Sequence, residues 1–459
     1  MVSWLASAWE YVQSKILTNQ KKLTATGGIL IGIICTLAFK DIYPDLELSF
    51  QRRLRRVRSS KLPHTPPQEG DYLRLEDHTR TASVVNPGDS VIRAKNPAPA
   101  IREGLEGLIG NTPLIKLPAL SAELGVEILV KCEFLNGAGN SPKDRVALSM
   151  IKHAEEESLL VPGRGDTIYE GTVGSTGISL AAVARSRGYR AHICMPSDQS
   201  PEKSSLLLKL GATVERVPPA GITDPDHFVN TARRRAANHT SSSDQAGRGF
   251  FADQFENTAN YLAHFETTGP EIYRQTDGQL DAFVAGAGTG GTLSGVAMFL
   301  KPRVQGLNIV LADPQGSGLY NWVKYGVMFS PTEAEGTRRR HQVDSVVEGI
   351  GLTRQTGNFL AGANLIDDAV RVDDDTARLM ARWLVQKEGL FIGASSAVNV
   401  TAAAIVGKRL AEKEGKKGGR IVTVVCDSGT RHLSRFWKGD GSNGEESLVE
   451  LGQILDQAK

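Results

Sequence analysis

Two loops in this chain share one layout. DTIYE (166–170) is a short apolar run that leads into GTVGSTG (171–177) and then a helical pattern; DAFVA (281–285) leads into GAGTGGT (286–292) and then another. A strand that ends in a glycine-rich turn and passes at once into a helix builds parallel α/β sheets, because parallel neighbours need a long crossover between them. Further strand-like runs, VEILVKCEF, YRAHICMP, ATVERV, LNIVLAD and RIVTVVCD, alternate with helical stretches such as TGISLAAVARSRG and DDDTARLMARWLVQKEG. The pattern predicts a parallel α/β sheet with both faces covered. Polar inserts at 231–249 and 330–342 read as surface loops.

The N-terminus differs in kind. From Leu23 to Phe39 no residue is charged, and Lys21, Lys22 and Lys40 bracket the run. As a helix it reaches roughly 25 Å, and lysines that snorkel close the gap to a ~30 Å hydrocarbon core, so one membrane span over 23–39 is expected, a buried core helix being the alternative. Residues 1–22 place Leu5, Trp9, Val12 and Ile16 on one helical face, an amphipathic interfacial segment. The cations of Gln51–Lys61 predict that the bulk of the chain stays cytosolic, and the basic flanks resemble signal anchors of the mitochondrial outer membrane. Residues 40–103 read as a basic, proline-rich linker, 104–440 as the folded domain and 441–459 as a tail. A net charge of +2 over 459 residues removes the electrostatic case for nucleic acid. Cys35, Cys132, Cys194 and Cys426 show no CxxC spacing, which predicts free thiols in a reducing compartment. The histidines show no HExxH or paired ligand spacing, so no metal is expected; His264 and His432 read as hydrogen-bonding groups.

Each glycine-rich loop offers free N–H groups at a positive helix end, which suits an anion. Gly286, Gly288 and Gly291 also satisfy GxGxxG, and Asp313 ends the next strand, so the second loop alone would fit a dinucleotide fold. Thr289 and Thr292 add hydroxyl donors suited to a compact phosphate monoester. Lys143, in GAGNSPKDRVALSMI, sits between a loop of small residues and a helical run. A lysine amine condenses with an aldehyde, and pyridoxal phosphate brings an aldehyde, a phosphate and an electron-withdrawing ring. Such a site needs a lysine, a phosphate loop, a carboxylate loop and a partner for the ring nitrogen, for which Ser428 in CDSGTRHLS is the candidate.

The segments IGNTPLIKL, NSPKDRVALSMI, EGTVGSTGISLA, QFEN, HFETTGPEI, GAGTGGT, EGLFIGASSA and CDSGTRHLS resemble, in order, the cysteine synthase and cystathionine β-synthase family. The resemblance runs from about Gly104 to Phe436, and membrane-anchored mitochondrial cysteine synthase-like proteins share the layout with a span ahead of it. It implies a fold-type II pyridoxal phosphate enzyme of two α/β subdomains with the cofactor between them. It makes Lys143 the Schiff-base lysine, Gly288, Thr289, Gly290, Gly291 and Thr292 the phosphate cup, and Ser428 the ring-nitrogen partner. Thr172, Val173, Gly174, Ser175 and Thr176, with Gln254, would grip the amino-acid carboxylate. Ser175 stands where the family carries an asparagine that contacts the cofactor, Pro142 where it carries a small or β-branched residue, and Gln199 replaces a methionine. The implied reaction is β-replacement of the acetate of O-acetylserine by sulfide to give cysteine, with a homodimer as the usual assembly. Condensation of serine with homocysteine, a dehydratase and a membrane-tethered non-catalytic relative are the alternatives, and a dehydrogenase comes last.

Overall fold

The computed structural model describes residues 101–199, 201–242, 246–329, 345–414, 418–438 and 450–457. The chain divides into two units, Met1–Ala100 and Ile101–Lys459, and every described residue lies in the second. The amphipathic segment, the 23–39 span and nearly all of the linker therefore lie outside the described residues. No helix among the described residues is long and apolar enough to cross a membrane, so the expected anchor gains no support.

Among the described residues, ten strands make up two sheets. They are β1 (Leu114–Lys116), β2 (Glu127–Cys132), β3 (Thr167–Gly171), β4 (Arg190–Pro196), β5 (Thr213–Val217), β6 (Gly249–Phe251), β7 (Ala282–Gly286), β8 (Asn308–Pro314), β9 (Asp368–Val372) and β10 (Arg420–Val425). The six-stranded sheet runs β1-β2-β10-β7-β8-β9 and the four-stranded sheet β5-β4-β3-β6. Every pairing is parallel except β1 with β2, where Leu114 faces Lys131. The chain builds β1 and β2, leaves to form the whole smaller sheet, and returns at β7.

The central strands are apolar throughout because helices cover both faces; β10, for example, is buried from Ile421 to Val425. The 21-residue helix Ala394–Glu414 packs on β10, and its buried Ala394, Ala397, Ala402, Ala403 and Ala404 permit close approach. Leu451, Ile454 and Leu455, on the helix Leu451–Gln457, enter the same core, so part of the tail is structured.

All seven runs read as strands are strands, but β1, β6 and β9 lack a sequence signal. The first two are three residues long with no fully buried position, and β9 carries Asp368 and Arg371 at the sheet edge. The single sheet read from the residues is also corrected, since periodicity marks strands and not which strands pair. The first part of the insert at 231–249 is not a loop: Phe228–Ser241 is helical, with Phe228, Val229, Ala232 and Ala236 buried on one face. Its arginines masked that stripe. The 330–342 insert lies outside the described residues.

Candidate active site

One cavity of about 290 Å³ takes its walls from both sheets. Thr172 follows β3, Gly288 and Thr289 follow β7, and Cys426 and Asp427 follow β10. Ligands in open α/β sheets collect at these carboxyl ends, where loops and helix N-termini converge.

Lys143 begins the helix Lys143–Glu156, the first long helix on the path to the smaller sheet. Pro142 precedes it at φ −60°, the value a helix start requires. Asn140, at φ +50°, turns the chain into this helix, and its Nδ2 donates to the Asn136 carbonyl at 2.7 Å. Buried Asp144 accepts from Gly139 N at 2.7 Å, Ala138 N at 3.1 Å and Ser179 Oγ at 2.6 Å, so it pins the loop ahead of the lysine to the neighbouring helix. Lys143 lines the cavity, and its amine has no hydrogen-bond or ion-pair partner among the described residues. Dehydration lowers its pKa below the ordinary lysine value, against the opposing pull of Cys426 and Asp427. An unpaired amine of reduced basicity is a nucleophile.

Across the cavity the helix Gly291–Leu300 starts without a side-chain cap, and its first bond runs from Ser294 N to Gly290 O at 2.9 Å. Gly291 N reaches only Thr289 Oγ1, at 3.5 Å, and the N–H groups of Thr292 and Leu293 are left for an anion. Glycine is required here by space. A Cβ on Gly288 would lie 2.0 Å from the Gly349 carbonyl oxygen, and one on Gly290, at φ +85°, would lie 2.4 Å from Phe359 Cα. Gly288→Ala is therefore expected to push the loop out of register and weaken cofactor uptake. Overpacking of about 1–3 kcal/mol corresponds to roughly 5- to 150-fold in affinity, read by titrating pyridoxal phosphate into the stripped protein.

The third wall is the start of the helix Ser175–Ser186, which also lacks a side-chain cap and makes its first bond from Ile178 N to Gly174 O at 3.1 Å. Gly174 N donates to Thr172 Oγ1 at 3.3 Å, which shapes the loop. Thr172, Val173, Ser175, Thr176 and Gln254 line the cavity. Thr176 Oγ1 donates to Gln254 Oε1 at 2.6 Å, and Gln254 Nε2 donates to Glu170 Oε1 at 3.2 Å and to the Gly171 carbonyl at 3.3 Å. Glu170 thus sets which end of the Gln254 amide faces the threonine.

Burial, reinforced by the Asp253 carboxyl, pushes Glu170 from 4.5 up to about 8, against the hydrogen bonds from Gln254 and Gly171. A carboxyl raised on folding contributes stability that is complete below its unfolded value and is lost as pH rises through its folded value. Glu170→Gln should therefore gain stability relative to the natural chain between pH 4.5 and pH 8, the interval spanned by the shift. Urea unfolding of both proteins across that interval checks the sign.

Ser428 stands apart from this group. Its neighbours Cys426 and Asp427 line the cavity, whereas the Ser428 hydroxyl accepts from Thr430 N at 3.3 Å and Thr430 Oγ1 at 3.2 Å and caps a short 3₁₀ turn. Asp313 removes the dinucleotide rival. It is fully buried and accepts from Tyr320 N at 2.7 Å, so it caps the next helix and offers no oxygen to a ribose.

A charged group at the cavity wall carries no local sequence signal. Lys203 pairs with Glu348, Arg435 Nη1 lies 3.1 Å from Glu348, and His432 Nε2 lies 2.9 Å from Asp427. Its members come from three distant segments. Away from the cavity, His192, Cys194 and Glu215 cluster on β4 and β5, but Arg235 already holds both Glu215 oxygens at 3.0 and 2.7 Å, which leaves that carboxylate neutralised.

The residues fit pyridoxal phosphate: an unpaired amine on one wall, a glycine cup of uncapped N–H groups on another, and space between them. Two α/β subdomains with that arrangement define a fold-type II pyridoxal phosphate enzyme. Residues 105–427 match the family described as pyridoxal-phosphate dependent enzyme, and the chain belongs to it. More particularly, it is 56% identical over 436 residues to Cysteine synthase 2 of Neurospora crassa, covering 92% of each chain. A protein of Saccharomyces cerevisiae named as a candidate mitochondrial cysteine synthase is 55% identical over 74% of this chain and 85% of its own length. Cystathionine beta-synthase of Rattus norvegicus is 38% identical over 74% of this chain and 56% of that protein. Among solved structures, an O-ureido-L-serine synthase superimposes with TM-score 0.63 at 32% identity, over 75% of this chain and 98% of that one.

Proposed function

We propose that this chain is a cysteine synthase that exchanges the acetate of O-acetylserine for sulfide. The observation that carries the reading is the unpaired, dehydrated amine of Lys143 in one cavity with two uncapped helix N-termini. The identity to proteins named cysteine synthase 2 supports the choice of substrates. When bound, pyridoxal phosphate supplies an aldehyde for the lysine and a ring that draws electrons from the substrate Cα.

The chain's own groups do the rest. Gly288, Thr289, Gly290, Gly291 and Thr292 hold the phosphate. Thr172, Val173, Gly174, Ser175 and Thr176, with Gln254, receive the substrate carboxylate on the second helix N-terminus. Lys143, freed when substrate takes its place, lifts the Cα proton, and its dehydrated setting lowers its basicity below the ordinary lysine value. The Cβ–O bond to acetate breaks, hydrosulfide forms the Cβ–S bond, and Lys143 returns its proton to Cα to complete cysteine. Ser428 completes the site as a neutral partner of the ring nitrogen once its hydroxyl turns from Thr430.

Purified protein given O-acetylserine and sulfide should release cysteine and acetate in equal amounts. Product from serine and homocysteine instead would move the assignment to the cystathionine-forming activity, and no product from either pair would leave a non-catalytic relative. We further propose a homodimer in mitochondria, anchored by 23–39 in the outer membrane with the catalytic domain on the cytosolic side. Support comes from the uncharged run between lysines and from the name of the Saccharomyces cerevisiae relative. Alkaline carbonate extraction of mitochondria should leave the full chain, but not a fragment starting at Lys61, in the membrane pellet.

A further inference from the structure

The threonines of the cup are backed by buried groups that lie outside their own loop. His264 Nε2 lies 3.1 Å from Thr292 Oγ1, and His264 Nδ1 lies 2.9 Å from Thr268 Oγ1. His264 and Thr268 are both 0% exposed. Burial pushes His264 down to about 3, so the ring is neutral and carries one proton.

That proton has two possible seats. On Nδ1 it is donated to Thr268, Nε2 then takes the proton of the Thr292 hydroxyl, and the lone pairs of Thr292 face the cup and repel an anion. The Thr268 proton is then buried with no acceptor, because its side chain has no other partner among the described residues. On Nε2 the whole chain is satisfied: Thr268 donates to Nδ1, Nε2–H donates to Thr292, and Thr292 keeps its proton for the cup.

Thr289 is arranged in the same way. Buried Asn260 donates from Nδ2 to the Gln254 carbonyl at 2.6 Å and to Thr289 Oγ1 at 2.9 Å. The carbonyl fixes the amide's orientation, so the Thr289 oxygen accepts and its proton is free. Both threonines line the cavity.

We propose that His264, set by Thr268, and Asn260 are positioning residues that turn the Thr292 and Thr289 hydroxyls into donors, making the cup selective for a dianionic phosphate. The inference rests on the cup being the phosphate seat. The test uses the full chain stripped of cofactor and compares its affinity for pyridoxal phosphate with that for pyridoxal, which lacks the phosphate. Inorganic phosphate serves as a competitor. His264→Phe and the milder Thr268→Val should each weaken pyridoxal phosphate binding about tenfold, the loss of one charge-assisted hydrogen bond, and leave pyridoxal binding unchanged. In the natural chain, ¹⁵N-histidine spectra should show His264 protonated at Nε2, a measurement that needs no variant to fold. Equal losses for the two ligands, no loss, or a proton on Nδ1 would overturn the relay. If the natural stripped protein binds pyridoxal as tightly as pyridoxal phosphate, the seat assignment itself falls, and the inference with it.

Discussion

Lys143→Ala should abolish turnover and the visible absorbance of the lysine-bound cofactor together, while the protein still folds. The amine has no partner among the described residues, so no ion pair is broken, and the helix behind it is held by Asp144 and the buried face of Val146, Ala147, Met150 and Ile151. Alanine also suits a first helical turn. Loss of a positioned proton-transfer group alone costs on the order of 10²–10⁴ in rate, and loss of the covalent tether adds to it. The check is a rate measurement with O-acetylserine and sulfide beside an absorbance spectrum and a circular dichroism trace. A variant that keeps more than about a tenth of the activity, against a ~10²-fold minimum, would remove Lys143 from the chemistry.

Arg145→Met should produce the largest loss of stability. Two residues past the catalytic lysine, its guanidinium meets Glu133 through Nε and Nη2, both at 2.8 Å, and Glu271 through Nη1 at 2.6 Å and Nη2 at 2.8 Å. Lys131 pairs with Glu271 at 2.6 Å, so two cations balance two carboxylates in a site where every member is at most 5% exposed. Removing Arg145 leaves one lysine for two buried carboxylates, a change worth about 3–5 kcal/mol. Burial alone would raise Glu133, but the Arg145 charge and hydrogen bonds, with Thr112 and Lys131, bring it from 4.5 down to about 2. A carboxyl lowered on folding contributes stability present above its unfolded value and lost as pH falls through its folded value. The gap between natural and variant proteins should therefore be full above pH 4.5 and shrink towards pH 2. Equilibrium urea unfolding across that range reads it, and a pH-independent gap would contradict the electrostatic cause.

Glu133 and Glu271 come from opposite sides of the inserted sheet in sequence, yet both grip the helix that begins at Lys143. The same helix thus presents the amine to the cavity and ties the two halves together beneath it. Small errors in that tie would displace the lysine, which couples the stability of this cluster to the geometry of the site.

Some of this was legible in the order of residues. Strands that run through the core announce themselves because both faces are apolar, which accounts for six of the seven runs, the seventh, Thr213–Val217, being a sheet edge with one buried residue. Short strands such as Leu114–Lys116 and Gly249–Phe251 do not, since three half-exposed residues carry no period. The helix Phe228–Ser241 hid behind Arg233, Arg234 and Arg235, which face water while Ala232 and Ala236 pack. GAGTGGT and GTVGSTG were readable as anion loops because glycine, threonine and a following helix are local properties of the chain.

What the sequence by itself determined is therefore local: strand, glycine turn and helix in the right order, and a lysine at a helix start. Tertiary structure alone decided that Asp313 caps a helix and meets no ribose, that β3 to β6 form a separate sheet, and that Lys203 reaches Glu348. It also decided that His264 stands behind Thr292. Those outcomes depend on which distant segments share a dry interior, where an unpaired polar group is costly and each buried proton must find an acceptor. That accounting is done in space between residues far apart in the chain, and no local pattern encodes it.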